Sequence, residues 1–470
     1  MAAVRRCADR CGGVCDIQIN PYQLTTKHTK RHENKKMNQH IEQAIDNFRN
    51  NASRYEKTER YYRGEHNLAF ASEKFQNTFG TLFREFALNL CPVICDALRD
   101  KLKVTGFSID QSKTKSAALR TELKRIWQRN RMAIRSGEIH KEALKNGDAY
   151  VIVWPGSDGE AMIFGNKATS CTVVYDDEIP GRIVWAAKYW RMTDNRFRLN
   201  VFYPDRIERY VSTAKNEGFL PDAKGLAPFI ESGSDSFILE NPYGIVPVFH
   251  FANNADIGMP GVSELEAAIP VQDGLNKSVL DMLVAMEYSS FRQRWAAGIE
   301  LQEDEATGAV VEPFKSGVDR LWTTQNPEAR FGDFQAADLN QFLNVKDGFR
   351  ADMASVTGMP LHYFSQHTQG FPSGESLKKS ETRFLAKVRD RQEAFGQIWA
   401  DVMEFAAGCE GSGSGNRLLT MWEDPAPLTE HEFLENLLIK KQLGISAEQS
   451  LSEAGYGDGD LNNMLLKVAI

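Results

Sequence analysis

The chain contains 470 residues, of which 63 are acidic and 56 are basic, so its formal net charge is −7. This balance argues against tight nucleic-acid binding through a broad basic surface, because phosphate neutralisation requires clustered lysine and arginine. A hydrophobic fraction of 42% is typical of a globular protein, and no apolar run approaches the ~18 residues that span a bilayer, which argues against a transmembrane protein.

Residues 1–36 are basic and have no regular apolar period, which predicts a disordered extension. Three cysteines and two histidines within it raise the alternative of a metal site: Cys7, Cys11, Cys15, His28 and His32. Their spacing matches no zinc-finger pattern, so the metal interpretation is the less favoured one. The chain has seven cysteines, and this odd number favours free thiols.

The next residues alternate between helical and strand-like patterns. Apolar residues at helical spacing predict helices over Asn38–Arg63, Asn89–Lys101, Ala117–Arg129 and Ser136–Asn146, with a strand at Val104–Ile109. β-branched and aromatic runs then predict six strands: Ala149–Pro155, Ala161–Phe164, Cys171–Asp176, Arg182–Trp190, Arg198–Pro204 and Arg206–Val211. Their short spacing favours antiparallel meanders over βαβ units. A polar excursion over 213–237 precedes a last strand within Asn241–Phe251.

A long, one-sided apolar pattern predicts a single helix from Val262 to Trp295. Ser263 and Glu266 have the spacing of a capping box at its start, and Pro270 predicts a kink within it. Residues 297–337 contain short strand-like runs with glycine and proline at the turns, which predicts a small α/β module.

Two further helical patterns, Asp338–Thr357 and Gly374–Ala407, flank the loop Gly358–Ser373. Gly358 is expected to end the first helix, because glycine accepts the left-handed conformation of a helix cap. The glycine- and serine-rich composition of residues 408–416 indicates a flexible linker, and a small helical tail follows it.

The sequence contains no convincing catalytic constellation. The loop GFPSGES lacks the lysine and the spacing of a phosphate-binding loop. His362 and His367 share one loop, and a metal-dependent nuclease is the enzyme hypothesis they allow, although ordinary polar loop residues are favoured. A basic run on the last long helix predicts either a solvated, salt-bridged face or a contact with a neighbouring subunit or with phosphates: Lys378, Lys379, Arg383, Lys387, Arg389 and Arg391. We predict no enzyme, no cofactor and no metal.

Several segments in one order resemble the portal proteins of tailed double-stranded DNA bacteriophages, in the branch found in phages of actinobacteria. The matching segments are YYRGEHNLAF, FREFALNLCPVICDAL, EIHKEALKNGDAYVIVWP, YPDRIERY, NPYGIVPVFHF, GVSELEAAIPVQDGLNKSVLDMLVAMEYSSFRQRWAAGI and MWEDP. Together they extend from about Met37 to the C-terminal region. Residues 1–36 have no counterpart in the resemblance.

The resemblance implies an α+β portal fold with an α/β wing, long stem helices, a small α/β clip and a helical crown. It assigns residues 37–261 and 374–408 to the wing, 262–296 to an outer stem helix, 297–337 to the clip, 338–357 to a channel-side stem helix, 358–373 to a tunnel loop, 409–424 to a linker and 425–470 to the crown. It also implies that the protein is located at one vertex of the capsid in the virion and that it assembles in the host cytoplasm.

The resemblance implies a homo-oligomeric ring, usually of twelve subunits, through which double-stranded DNA passes during packaging and ejection. The implied partners are the major capsid protein, the terminase large subunit and a head–tail connector protein. No contact with a membrane is implied. The expected channel residues are Lys346, Arg350, Tyr363, Gln366, His367, Thr368 and Gln369. For Lys346 and Arg350, salt bridges between subunits are an equally weighted alternative. A head scaffold or adaptor subunit without DNA contact is the competing function.

Overall fold

A computed structural model describes most of the chain between residues 21 and 444. The described residues are 21–67, 77, 88–109, 116–215, 218–233, 235–257, 259–290, 294–299, 302–303, 310–311, 326–333, 338–364, 374–412, 417–426 and 430–444. The chain divides into two compact units, Met1–Asn51 with Ser170–Val246 and Ala52–Thr169 with Pro247–Ile470. Each unit is therefore assembled from two separate stretches of sequence.

The described helices are α1 (Pro21–Tyr62), α2 (Cys91–Lys101), α3 (Ser116–Arg129), α4 (Met132–Asn146), α5 (Ile269–Ser290), α6 (Asn340–Thr357), α7 (Gly374–Ser380), α8 (Thr382–Cys409) and α9 (Glu430–Gln442). The described strands are β1 (Val104–Ile109), β2 (Asp148–Pro155), β3 (Ala161–Lys167), β4 (Cys171–Tyr175), β5 (Ile183–Arg191), β6 (Phe197–Phe202), β7 (Arg206–Ser212), β8 (Leu226–Pro228), β9 (Ile238–Glu240), β10 (Val248–Ala252), β11 (Arg294–Ala297), β12 (Gln302–Glu303), β13 (Val310–Val311), β14 (Arg330–Asp333) and β15 (Leu418–Trp422).

The first unit packs part of α1 against an antiparallel sheet. Strands β4, β5, β6 and β7 are neighbours in that order, and β8 and β9 both pair with β7. The core combines apolar residues at helical spacing on α1, alternate residues of β5, β6 and β7, and two residues outside the strands, Tyr203 and Leu220. The α1 and strand residues are Ile41, Ala44, Ile45, Phe48, Trp185, Ala187, Phe197, Leu199, Val201 and Tyr210. The two periods, 3.6 on the helix and 2 on the strands, bring these side chains to one interface.

The second unit contains the three-stranded sheet β10–β2–β3 and the two-stranded sheet β1–β15. Helix α8 contacts strands of both sheets, and Phe384, Phe395 and Trp399 on its apolar side are fully buried. His140 from α4 lies in the same core, stacked on Phe395 with ring centroids 5.5 Å apart. The indole Nε1–H of Trp399 donates a hydrogen bond to His140 Nε2 at 2.7 Å. The long apolar helix is therefore the element around which this unit is built.

The buried His140 makes stability depend on pH. Burial lowers the pKa of His140 to about 3, whereas an unfolded histidine titrates near 6.5. The unfolded chain therefore binds a proton first as the pH falls, so this contribution is complete above pH 6.5 and is lost progressively below it. We expect the free energy of unfolding to fall by about 2 kcal/mol from this group between pH 7 and pH 5.

Urea unfolding at several pH values measures this effect. A His140→Gln variant keeps a hydrogen-bond acceptor for the Trp399 indole but cannot titrate. The free energy of unfolding of this variant should fall less steeply between pH 7 and pH 5 than that of the wild type. An identical pH dependence in the two proteins would contradict a neutral, buried His140.

The predicted meander and the α+β class are confirmed. Strands β2 to β7 match the six predicted strands with end differences of at most three residues, and every described strand pair is antiparallel. The described parts of residues 297–337 contain strands and turns only. The helical component predicted for this module is not found among those described residues.

The predicted start of the first helix was wrong. Helix α1 begins at Pro21 and includes residues 21–36, which the sequence indicated to be disordered. Proline is favoured in the first turn of a helix, because its missing N–H has no intrahelical partner there. The residues that follow Pro21 belong to the same helix that continues to Tyr62, so they can be helical without an apolar face of their own. The cysteines proposed as metal ligands lie outside the described residues.

The long helix predicted over Val262–Trp295 was also wrong at both ends. Helix α5 spans Ile269–Ser290, so Pro270 lies in its first turn instead of kinking its middle. The backbone N–H of Glu264 donates to Leu144 O at 2.9 Å, which holds this segment against α4 instead of in a helix. Trp295 belongs to β11, which pairs with β14.

The predicted linker over 409–424 was wrong in its second half. Residues Leu418–Trp422 form β15, which pairs with β1, and the Leu418 side chain is buried. The glycine- and serine-rich composition ends before this apolar run, which explains the error. Helix α9 agrees with the predicted helical tail, whereas residues 445–470 lie outside the described part of the chain.

Candidate functional site

The helix–loop–helix formed by α6, the residues after it and α8 holds the predicted channel residues. Helix α6 packs along α5, and the Phe349 ring of α6 lies against the α5 backbone at Gly274. A Cβ atom at this position would lie 2.7 Å from Cε1 of Phe349. Phe349 therefore occupies the space that a side chain on α5 would need.

Replacing Gly274 by alanine should separate α5 from α6. The new methyl group would overlap the Phe349 ring, and overpacking of this kind typically costs about 1–3 kcal/mol. Urea unfolding measures the change. Gly348→Ala on α6 is the control, because a Cβ atom at Gly348 meets nothing within 4 Å and helix propensity favours alanine.

The C-terminus of α6 ends as the sequence predicted. Gly358 adopts the left-handed conformation with φ of 69° and caps the helix. The hydroxyl of Thr357 donates to Met353 O at 2.7 Å. A short 3₁₀ turn, Leu361–Tyr363, follows, and residues 365–373 lie outside the described part of the chain.

A buried ion cluster fixes this end of α6. The ammonium group of Lys387 on α8 donates to Thr357 O at 3.0 Å and pairs with the Glu264 carboxylate. Arg391, one turn further on, places Nη2 3.0 Å from Glu264 Oε1. Asn253 Nδ2 also donates to Oε1 of Glu264, at 3.1 Å. One carboxylate thus connects α8, the residues before α5 and, through Lys387, the end of α6.

The charges in this cluster compensate for burial. Burial alone would raise the pKa of Glu264, but the Lys387 and Arg391 charges outweigh it and hold that pKa below its ordinary value. Glu264 therefore remains ionised in the fold. Glu264 was not among the residues predicted from the sequence. The spacing of Lys387 and Arg391, four residues apart beside the apolar positions of α8, was the available signal.

The structure places three of the predicted channel residues. Lys346 and Arg350 are half-buried on α6, and Arg350 Nη1 lies 3.0 Å from Asp347 Oδ1 in the same helix. Tyr363 packs on the buried Phe384 ring with centroids 5.5 Å apart. The other four, Gln366, His367, Thr368 and Gln369, lie outside the described residues. The roles of all seven in contacting DNA stay predictions.

Two alternatives were raised for this region: a metal site at His362 and His367, and a salt-bridged face formed by the basic run. His362 Nε2 lies 3.5 Å from Glu381 Oε1, and the described residues contain no group of three potential metal ligands. The basic run of α7 and α8 is salt-bridged but only partly solvated. Lys378 pairs with Glu432 at a partly exposed surface, whereas Lys387 and Arg391 pair with Glu264 in the buried cluster. Among the described helices, none is long and apolar enough to cross a bilayer.

The family described as "Phage portal protein, SPP1 Gp6-like" matches residues 41–455, which is most of the chain. The chain belongs to this portal protein family. The resemblance found in the sequence is therefore confirmed. Portal proteins are structural components of phage particles.

Two portal proteins of mycobacteriophages are similar in sequence. The portal protein of Mycobacterium phage L5 is 27% identical over 202 residues, covering 41% of each chain. That of Mycobacterium phage D29 is 26% identical over 238 residues, covering 48% of this chain and 49% of the relative. The chain thus spans about half the length of the curated relatives it matches, and both come from phages of actinobacteria, as predicted.

Two solved structures match the chain at low structural similarity. A chain of the "Virion of native gene transfer agent (GTA) particle" is 12% identical with a TM-score of 0.43, covering 80% of this portal chain and 90% of its own. A chain of the "Neck of native GTA particle computed with C12 symmetry" is 11% identical with the same TM-score of 0.43. This match covers 84% of this portal chain and 94% of the other chain.

Proposed function

We propose that this portal protein forms a ring at one vertex of the phage head and serves as the conduit for DNA packaging and ejection. The family match over residues 41–455 is the observation that carries the proposal. The ring would contain twelve subunits, assemble in the host cytoplasm and join the major capsid protein. It would dock the terminase large subunit during packaging and a head–tail connector protein afterwards.

The charge of the described site is compatible with a channel in which DNA slides. Closely spaced lysine and arginine contacts would bind phosphates strongly and with a steep salt dependence. Here the chain has a net charge of −7, and Arg350 on α6 is paired with Asp347. Lys346, Arg350 and Tyr363, with the loop residues Gln366–Gln369, would form sparse polar rings around the duplex.

The mass of the assembled protein is the first test. Native mass measurement should give a ring, and electron microscopy should show a central hole wide enough for a DNA duplex. A monomer at all accessible concentrations would overturn the proposal, as would a closed assembly without a hole.

Deleting residues 366–371 tests the proposed contact between the loop and DNA. Rings should still form, because α6, α8 and the Glu264 cluster that joins them lie outside the deletion. Packaging or retention of DNA should fall strongly. Replacing the same six residues by glycine and serine keeps the loop length and is the matched control for side-chain contacts. Normal numbers of DNA-filled heads with the deletion would contradict a role for the loop.

A further inference from the structure

The sheet of the first unit has a second face, which lies opposite the core that it forms with α1. Because strand residues alternate between the two faces, the residues between the core positions of β5, β6 and β7 lie on this second face. Lys188, Asn200 and Arg209 are cross-strand neighbours there, on β5, β6 and β7, and Trp190 pairs with Arg198 beside them. We call Lys188, Trp190, Arg198 and Asn200 the cationic patch.

Arg198 is a buried arginine without a carboxylate partner. The described part of the chain buries three arginines, and the other two, Arg209 and Arg391, each pair with a glutamate. Arg198 is only 8% exposed, yet it makes no ion pair within the described residues. An unpaired buried charge is costly, so its presence requires a physical explanation.

Aromatic rings offset part of this cost. Arg198 Cζ lies 3.7 Å from the centre of the Phe229 ring and 5.5 Å from that of the Trp190 ring. Cation–π contacts attract the charge but provide no acceptor for the N–H groups at the edge of the guanidinium. Among the described residues only Nε has an acceptor, Asn200 Oδ1 at 3.3 Å. Nη1 and Nη2 are not sealed from solvent, so their N–H groups are available to a ligand.

The charge around Arg198 is positive. Lys188 Nζ lies 5.3 Å from the centre of the same Trp190 ring, and Lys188 also makes no ion pair among the described residues. Glu231 acts on Arg198, but its carboxylate already pairs with Arg209 Nη1 at 2.6 Å. Burial lowers the pKa of both Lys188 and Arg198. Two positive charges beside one ring are therefore left without a partner.

We propose that the cationic patch binds a phosphate group that carries two negative charges. The planar guanidinium of Arg198 can donate to two phosphate oxygens at once, and Lys188 supplies the second positive charge. A phosphate group carries about −1.5 to −2 charges at pH 7 and has three acceptor oxygens, which matches the two unpaired cations. A DNA phosphodiester carries one charge and is fixed on a rigid duplex, so the recessed Arg198 favours a small terminal phosphate. The inference does not depend on the ring, because these residues lie within one unit of one chain.

Isothermal titration calorimetry of the full-length protein with inorganic phosphate, at constant ionic strength, tests the patch. Arg198→Gln should weaken phosphate binding by about tenfold or more, because it removes both the charge and the paired donors. Lys188→Gln removes only one charge and should weaken binding by a smaller factor. Arg191→Gln is the matched control, because Arg191 is an exposed arginine on the opposite face of β5, and it should bind phosphate as the wild type does.

Urea unfolding distinguishes binding from a purely structural role of Arg198. Phosphate should raise the unfolding midpoint more in the wild type and Arg191→Gln than in Arg198→Gln, because a ligand of the folded state stabilises it. The comparison removes the general stabilising effect of phosphate. If Arg198→Gln does not fold, the same comparison with Lys188→Gln decides.

Three results would overturn the inference. Saturable binding could be absent from the wild type, or the patch variants could bind phosphate as tightly as Arg191→Gln does. Either result would leave Arg198 with only its contacts to the aromatic rings. Tighter binding of acetate or of a short DNA duplex than of inorganic phosphate at this patch would contradict the preference for a doubly charged phosphate.

Discussion

Replacing Asp148 by alanine should reduce the free energy of unfolding by about 3–5 kcal/mol, the range found when one partner of a buried ion pair is removed. The Asp148 side chain is completely buried. Its Oδ1 lies 2.8 Å from His250 Nε2 and accepts the Gly261 N–H at 2.8 Å. Its Oδ2 accepts from the Tyr55 hydroxyl at 2.7 Å and from Arg54 Nη2 at 2.6 Å.

The size of this effect follows from what the substitution leaves behind. Alanine removes the acceptor for several donors at once, and buried donors without acceptors are costly. Burial alone would raise the pKa of Asp148, but the bonds from His250, Tyr55 and Gly261 hold it below its ordinary value. The carboxylate therefore stabilises the fold above pH 3.8, and this contribution is lost as the pH falls through the lowered pKa.

Urea unfolding of Asp148→Ala at pH 7 measures the effect. Asp222→Ala is the matched control, because Asp222 also pairs with an arginine, Arg49, but its side chain is 76% exposed. Exposed pairs of this kind contribute less than about 1 kcal/mol. Equal losses in the two variants would show that the Asp148 network has no special structural role.

The sequence was sufficient to predict the elements that local patterns determine. The strands from β2 to β7 were found because β-branched and aromatic runs alternate with clear turns. The cap at Gly358 was found because only a few residue types accept positive φ. These features depend on residues close together in the chain, which is why a single sequence reveals them.

The errors arose where tertiary contacts override local pattern. The segment before α5 has a helical apolar period, yet its backbone bonds to Leu144 and Asn253 instead. The strand β15 exists because β1, more than 300 residues earlier, supplies its partner. The ion cluster around Glu264 joins positions over a hundred residues apart. Contacts between such distant positions leave no periodic signal in the sequence.

Replacing Glu264 by glutamine should destabilise the protein by about 3 kcal/mol, because it leaves two cations without their carboxylate. Arg391 is 5% exposed and Lys387 is 21% exposed at the side chain. The amide can still accept hydrogen bonds but carries no charge. The loss should be greatest at the end of α6, because Lys387 holds Thr357 O there.

Urea unfolding measures the global change, and hydrogen exchange of the backbone around Thr357–Leu361 measures the local one. Lys378→Met is the control, because the Lys378 ammonium pairs with Glu432 at a partly exposed surface, where less than about 1 kcal/mol is expected. Unchanged exchange at the end of α6 in Glu264→Gln would show that the cluster does not hold this helix.

A triple variant distinguishes the destabilisation caused by unpaired charges from the stabilisation that the intact cluster provides. Glu264→Leu with Lys387→Met and Arg391→Met removes all three charges together, and replacement of buried ion clusters by apolar residues is often neutral or stabilising. We therefore expect the triple variant to be more stable than Glu264→Gln. Because the triple variant also loses the Lys387 bond to Thr357 O, exchange at the end of α6 should stay fast even if stability returns. Recovered stability together with fast exchange would show that the cluster positions the base of the loop. Global stability would then come from the apolar core around Trp399.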